Sequence, residues 1–208
     1  MTFTGFTAAA SEFFAQLARH NSREWFDAHR AQYIDAVRQP MEDLLGEAEA
    51  AYGPGHLTRP NRDLRFRPDK SPYRTWASMW AGTVGGVHLG LGADGLLAGG
   101  GLYEPTRDQL ERARSAIDSV PLAASRLEAI VDDLAAAGFE MAGPRLKTAP
   151  RGYDRDHPRI DLLRLTHYAA TERLPVTASP DEIRAAWSAV GPLVDWAREY
   201  AKAAEPGR

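Results

Sequence analysis

The sequence predicts an α+β fold in a single domain, residues 1–208. A largely antiparallel sheet, a meander around residues 60–103, packs against N-terminal and C-terminal helices. Three observations carry this reading. Apolar residues recur every three or four positions in the first third of the chain and again after residue 105. Between those stretches the period changes to two, in four short runs joined by tight links, and such links suit antiparallel neighbours. The 208 residues, 44% hydrophobic and 25% charged, can bury a sizeable core, and no linker, repeat or low-complexity tract interrupts them.

The elements follow in order. Thr7 is placed to cap a helix whose stripe is Phe13, Phe14 and Leu17. Asn21 and Glu24 have capping-box spacing, and Phe26, Tyr33, Val37, Met41, Leu44 and Ala48 keep helical period beyond them. Pro40, lacking an N–H, should kink or split this second helix, which Gly53-Pro54-Gly55 ends. Leu64 and Phe66 alternate with Asp63, Arg65 and Arg67 as in a half-buried strand, and Asp69 to Pro72 forms a turn. Further strands are expected at Tyr73–Ala81, Val87–Leu91 and Leu96–Tyr103. The Gly99-Gly100-Gly101 run lacks the lysine and hydroxyl of a nucleotide-phosphate loop. It is assigned to structure, as a bulge or a close approach by another backbone or by Trp76 or Trp80.

Pro105, or Thr106 with Gln109, starts the next helix, with Leu110, Ala113 and Ile117 buried. Another carries Leu127, Ile130, Val131 and Leu134 and ends at Gly138. An extended stretch (139–147), a short helix (158–163) and a strand (165–171) come next. Ser179, Pro180 and Glu182 open the last helix, which continues through Ile183, Ala186, Trp187, Val190, Val194 and Ala197 with a distortion at Gly191-Pro192. The expected core includes Trp25, Phe26, Leu64, Phe66, Trp187 and Val190.

Composition narrows the chemistry. Without cysteine there is no disulfide, thiol nucleophile, iron–sulfur cluster or cysteine-held zinc. No apolar run reaches transmembrane length and no signal peptide opens the chain, so the expectation is a cytoplasmic protein without membrane contact. Net charge is -3, yet residues 59–74 carry +4 and residues 145–164 carry +3, leaving -10 on the remainder. Two basic islands therefore sit in an acidic chain, and they are expected to meet in space.

Three motifs carry a resemblance. They are Glu24-Trp25-Phe26, the run Arg62-Asp63-Leu64-Arg65-Phe66-Arg67-Pro68-Asp69-Lys70-Ser71-Pro72-Tyr73, and Leu146-Lys147-Thr148-Ala149-Pro150-Arg151-Gly152-Tyr153-Asp154. Together they resemble the uncharacterised family called domain of unknown function 2461 over nearly the whole chain. Arg74 stands where a lysine is common after the Pro-Tyr pair. The resemblance implies an α+β domain and brings no catalytic residue with it.

Candidate site residues come from the islands. Arg65, Lys70 and Arg151 are expected to hold a small phosphorylated or carboxylated molecule, since guanidinium groups grip such anions with two prongs. Lys147 assists, and Tyr73 and Arg74 add donors without adding apolar burial. Asp154, His157 and Tyr153 are the reactive candidates, with His157 able to act as a base if a carboxylate orients it. The competing reading is that the islands are solvated faces or internal ion pairs, with Asp63 partnering Arg65 and Asp154 or Asp156 merely capping a helix.

No metal or cofactor is expected. Asp154, Asp156, His157 and His167 have neither helical zinc spacing nor that of a calcium loop. A non-catalytic binding or regulatory module is the alternative. Nucleic-acid binding, with Trp76, Trp80 and Tyr73 as stacking groups, ranks below it because the sequence pI is near 6.1. The sequence specifies neither a reaction nor an oligomeric state.

Overall fold

A computed structural model describes residues 2–63, 65 and 68–202; Leu64 and Phe66, two of the expected core positions, lie outside the described residues. The fold class is α+β. Six strands form an antiparallel sheet packed with helices: β1 (Gly55–Leu57), β2 (Trp76–Thr83), β3 (Gly85–Gly92), β4 (Gly95–Leu102), β5 (Glu140–Met141) and β6 (Tyr168–Leu174). They are ordered β1-β2-β3-β4-β6-β5, so β2, β3 and β4 are the expected meander. The chain divides into two compact units, Met1–Thr83 with His88–Ala98 and Arg173–Ala186, and Val84–Val87 with Gly99–Glu172 and Trp187–Arg208.

In the first unit, α1 (Ala8–Arg19) buries Phe13, Phe14 and Leu17 as its spacing requires, although the Thr7 side chain makes no capping bond. Ser22, not Asn21, caps α2 (Arg23–Ala28), accepting the Trp25 N–H. Asn21 is drawn away because its amide meets the Tyr73 backbone twice. Its Nδ2 donates to the Tyr73 carbonyl and its Oδ1 accepts the Tyr73 N–H, both at 3.0 Å. After α3 (Arg30–Tyr33) a π-turn spans Ile34–Arg38, where the Gln39 N–H reaches back to the Ile34 carbonyl. Pro40 then falls in the first turn of α4 (Gln39–Tyr52), directly after the π-turn, and the backbone stays helical through Arg38 and Gln39, so the periodic stretch is locally rewound at the proline and broken at His29.

The apolar face of β2, Ala77, Met79 and Ala81, is buried, and α4 packs on that strand. Phe13 anchors an aromatic cluster with Phe14, Phe26 and Tyr33 at centroid separations of 5.2–6.0 Å between neighbours. Glu47 ties the unit together. It accepts the Phe3 N–H at 3.0 Å and the Arg184 guanidinium at 2.8 Å, and Arg184 holds its carboxyl below the usual range against the opposing effect of burial.

Of the strand expected over 63–67, residues 64, 66 and 67 lie outside the described residues, and Asp63 and Arg65 are not in a strand. Among the described residues only Asn61 bridges to Tyr73, while Arg65 lies in a turn with its N–H on Asp63 Oδ1. The Asp63 carboxylate gives that N–H a local partner in place of a strand ladder.

In the second unit, Thr106 and Gln109 complete the capping box of α5 (Arg107–Ser119). It packs with α6 (Pro121–Ala136) and α9 (Gly191–Tyr200), and Trp196 is fully buried with its Nε1–H on the Ala123 carbonyl at 2.8 Å. The short α7 (Ile160–Leu163) is held by Arg114, which donates to the carbonyls of Leu163 and Leu165. Residues Gly99 to Gly101 serve structure, though no tryptophan fills their space. A Cβ on any of the three would collide with a carbonyl oxygen, of Ala170, Gly86 and Tyr168 respectively. The last periodic stretch breaks as expected into α8 (Pro180–Ala189), with its Ser179–Glu182 box, and α9. Trp187 and Val190 are buried, whereas Trp25 is only half-buried.

Candidate functional site

The first island lies in the first unit and has its own acid partners. Arg65 is 78% exposed in its side chain and grips Asp63 with Nε and a terminal nitrogen, the latter at 2.7 Å. Arg62 pairs with Asp69. Asp69 is held far below the usual carboxylate range, first by the Ser71 hydroxyl and N–H and then by Arg62. Lys70 is exposed on this turn.

Tyr73 departs from expectation. It is 5% exposed, its ring stacked on Phe26 at 4.0 Å, because the Asn21 bracket fixes its backbone at the edge of the aromatic cluster. It adds apolar burial after all.

Arg74 has no acid partner among the described residues. Its guanidinium lies 5.2 Å from the centroid of the Trp76 ring, and that ring is 44% exposed. Its Nε is buried with no hydrogen-bond partner, and the side chain makes no hydrogen bond or ion pair among the described residues. Trp76, Ser78 and Trp80 share the less buried face of β2, where His56 stands opposite Trp80. On β3, a Cβ on Gly90 would stand 3.3 Å from the His88 ring, so glycine there leaves room for the imidazole. Burial and nearby His56 push His88 down to about 4.

The second island lies in the second unit. Lys147 and Arg151 are exposed and make no ion pair among the described residues, whereas Arg159 pairs with Glu128 at 3.0 Å. Asp154 accepts the Asp156 N–H at 2.9 Å, closing a turn and not capping α7.

His157 does meet an orienting carboxylate. Its Nε2 is 3.3 Å from Asp118, and its Nδ1 accepts the Arg159 N–H at 3.0 Å. A neutral ring in this setting carries its proton on Nε2 and has both nitrogens occupied. Tyr153 is half-buried, and its hydroxyl is pushed up by burial and by Asp118, against the opposing charge of Arg114.

Asp118, Arg114 and Glu111 went unnoticed in the sequence. Their signal is helical spacing, which puts all three on one face of α5. His167, a conceivable companion of His157, packs instead against Tyr103, with ring centroids 4.9 Å apart. Among the described residues no three histidine, aspartate or glutamate side chains come together closely enough to hold a metal ion, and no helix is long and apolar enough to cross a membrane.

Residues 9–196 match the family of conserved hypothetical proteins designated DUF2461, and the chain belongs to that family. No curated protein and no solved structure matches it.

Proposed function

We propose that this protein binds a small anionic molecule, phosphorylated or carboxylated, and that Arg74 standing on Trp76 is a principal contact. One observation carries the reading: Arg74 is a half-buried guanidinium with a buried, unpartnered Nε and no acid partner among the described residues. A buried donor left without a partner costs about 1–3 kcal/mol. An anion beside the group would offset part of that cost, and the exposed indole offers a planar moiety a stacking surface. Arg62 and Arg65 are weaker candidates, because an incoming anion must displace Asp69 or Asp63. In the second unit, taken by itself, Lys147 and Arg151 are exposed and without an ion pair among the described residues, which makes them candidate anion contacts in their own right. Binding ranks ahead of acid–base catalysis, since both ring nitrogens of His157 are occupied.

The test is a thermal-shift screen of the full chain against phosphorylated, nucleotide and carboxylate metabolites, which needs no knowledge of a reaction. A ligand at a hundred times its dissociation constant stabilises by about 2.7 kcal/mol. Arg74→Gln and Trp76→Ala should each remove the shift produced by a hit. A hit that survives both substitutions, or a screen with no anion among its hits, would overturn the assignment.

A further inference from the structure

We infer that the anion held at Arg74 carries a planar aromatic ring, and that this ring lies on Trp76. The inference rests on the anion reading above and narrows it to ring-bearing phosphates and carboxylates, the chemistry of a nucleoside monophosphate or an aromatic acid. Two features that are each costly in the free protein meet at this place.

The first is the guanidinium. Arg74 Nε is buried without a hydrogen-bond partner, and the side chain makes no ion pair among the described residues. The backbone that carries it is already fixed. The Arg74 N–H donates to the Pro60 carbonyl at 2.8 Å, and Asn21 holds both backbone groups of the preceding Tyr73. A donor set on a backbone held in this way gives up little freedom when a ligand arrives.

The second is the indole. Phe13, Phe26, Tyr33 and Tyr73, the clustered rings of the same unit, are at most 5% exposed. Trp76 is 44% exposed even with the Arg74 guanidinium 5.2 Å from its centroid. No aromatic ring touches it among the described residues. Alternation along β2 sets it on the face opposite buried Ala77, Met79 and Ala81, so the core makes no use of its open surface.

A ligand that answers both features has an anionic group and a flat ring in one molecule. The guanidinium offers a phosphate or carboxylate two parallel N–H bonds in its own plane. The indole offers a π face, and a pair of aromatic rings gains more than its buried area alone provides. An anion without a ring leaves the indole in water. A ring without a charge leaves Arg74 unpaired.

The experiment is calorimetric titration of the full chain with two matched pairs: adenosine monophosphate against ribose phosphate, and benzoate against cyclohexanecarboxylate. In at least one pair the aromatic member should bind about tenfold more tightly. Trp76→Leu should bring that ratio to about one, and Trp76→Phe should keep most of it, with far-UV circular dichroism showing both variants folded. Arg74→Gln should weaken both members of the pair alike. Equal affinities within each pair, or a ratio unchanged in Trp76→Leu, would overturn the inference and leave the anion reading standing. Binding by none of the four at millimolar concentration would overturn that reading and the inference with it. An oligoadenylate that binds far more tightly than adenosine monophosphate, and loses that affinity as salt rises, would turn the site over to nucleic acid and overturn the assignment to a small molecule.

Discussion

Asn21 shows how much one side chain can organise. Removing its amide leaves the N–H and carbonyl of buried Tyr73 without partners, so Asn21→Ala should cost about 1–3 kcal/mol in urea unfolding. Asn21→Asp keeps the acceptor and loses the donor, and should cost less than alanine. An alanine variant as stable as the parent would show that water replaces the bracket. Glu104 presents the opposite case. At φ +47° a glycine is under less strain, so Glu104→Gly should raise stability by about 0.5–1 kcal/mol, or about 2 °C in Tm. A glycine variant no more stable than the parent in urea unfolding would show that the turn carries no strain. Sequence reasoning selected His157 as a base awaiting a carboxylate; it could not register that the Arg159 N–H occupies the other ring nitrogen.

At the scale of elements, the consecutive glycines Gly99, Gly100 and Gly101 of β4 make the sharpest claim. Each leaves no room for a Cβ against a carbonyl oxygen, and backbone cannot withdraw as a flexible side chain can. Gly99→Ala or Gly100→Ala should therefore cost more than about 3 kcal/mol or prevent folding. Gly152, at φ +92° but in open space, should tolerate alanine at about 1 kcal/mol. Far-UV circular dichroism and urea titration of the three variants would check the order, and equal tolerance at all three sites would refute the close-approach account. Helix starts signalled by a Ser or Thr three residues before Glu or Gln, at Thr106 and Ser179, stand where local spacing puts them. The Asn21 start does not, because a partner 52 residues away competes for the same amide. Local patterns hold where no distant group bids for the same hydrogen bonds.

At the scale of the whole molecule, titration and salt give the readouts. His88 has a folded pKa near 4 against an ordinary 6.5, so below pH 6.5 the unfolded chain takes up a proton that the folded chain refuses. Its contribution is complete above about pH 6.5 and is lost as pH falls toward 4, by about 3 kcal/mol. Urea midpoints at pH 7.5, 5.5 and 4.5 should fall accordingly, and His88→Gln should flatten that part of the curve. An unchanged slope in the variant would place the acid sensitivity elsewhere. The acidic remainder of the chain argues against nucleic acid as the partner. Oligonucleotides should bind negligibly at physiological salt, whereas tight binding that collapses as salt rises would reveal counterion release and reverse the ranking.

What the sequence by itself determined is what depends on near neighbours along the chain. Periodicity and capping spacing located the helices, the change of period located the meander, Pro40 marked a local rewinding, and Gly191 marked where helices divide. The two basic islands were likewise legible, being runs of adjacent residues. Tertiary structure alone decided which of those charges already have partners, that Tyr73 belongs to the core, and that Asp118 meets His157. It also set the Tyr103 ring against that of His167, residues 64 positions apart in the chain. The reason is physical. Helical and strand periods follow from backbone geometry within a few residues, whereas a hydrogen bond or ion pair depends on which groups folding brings within about 3 Å.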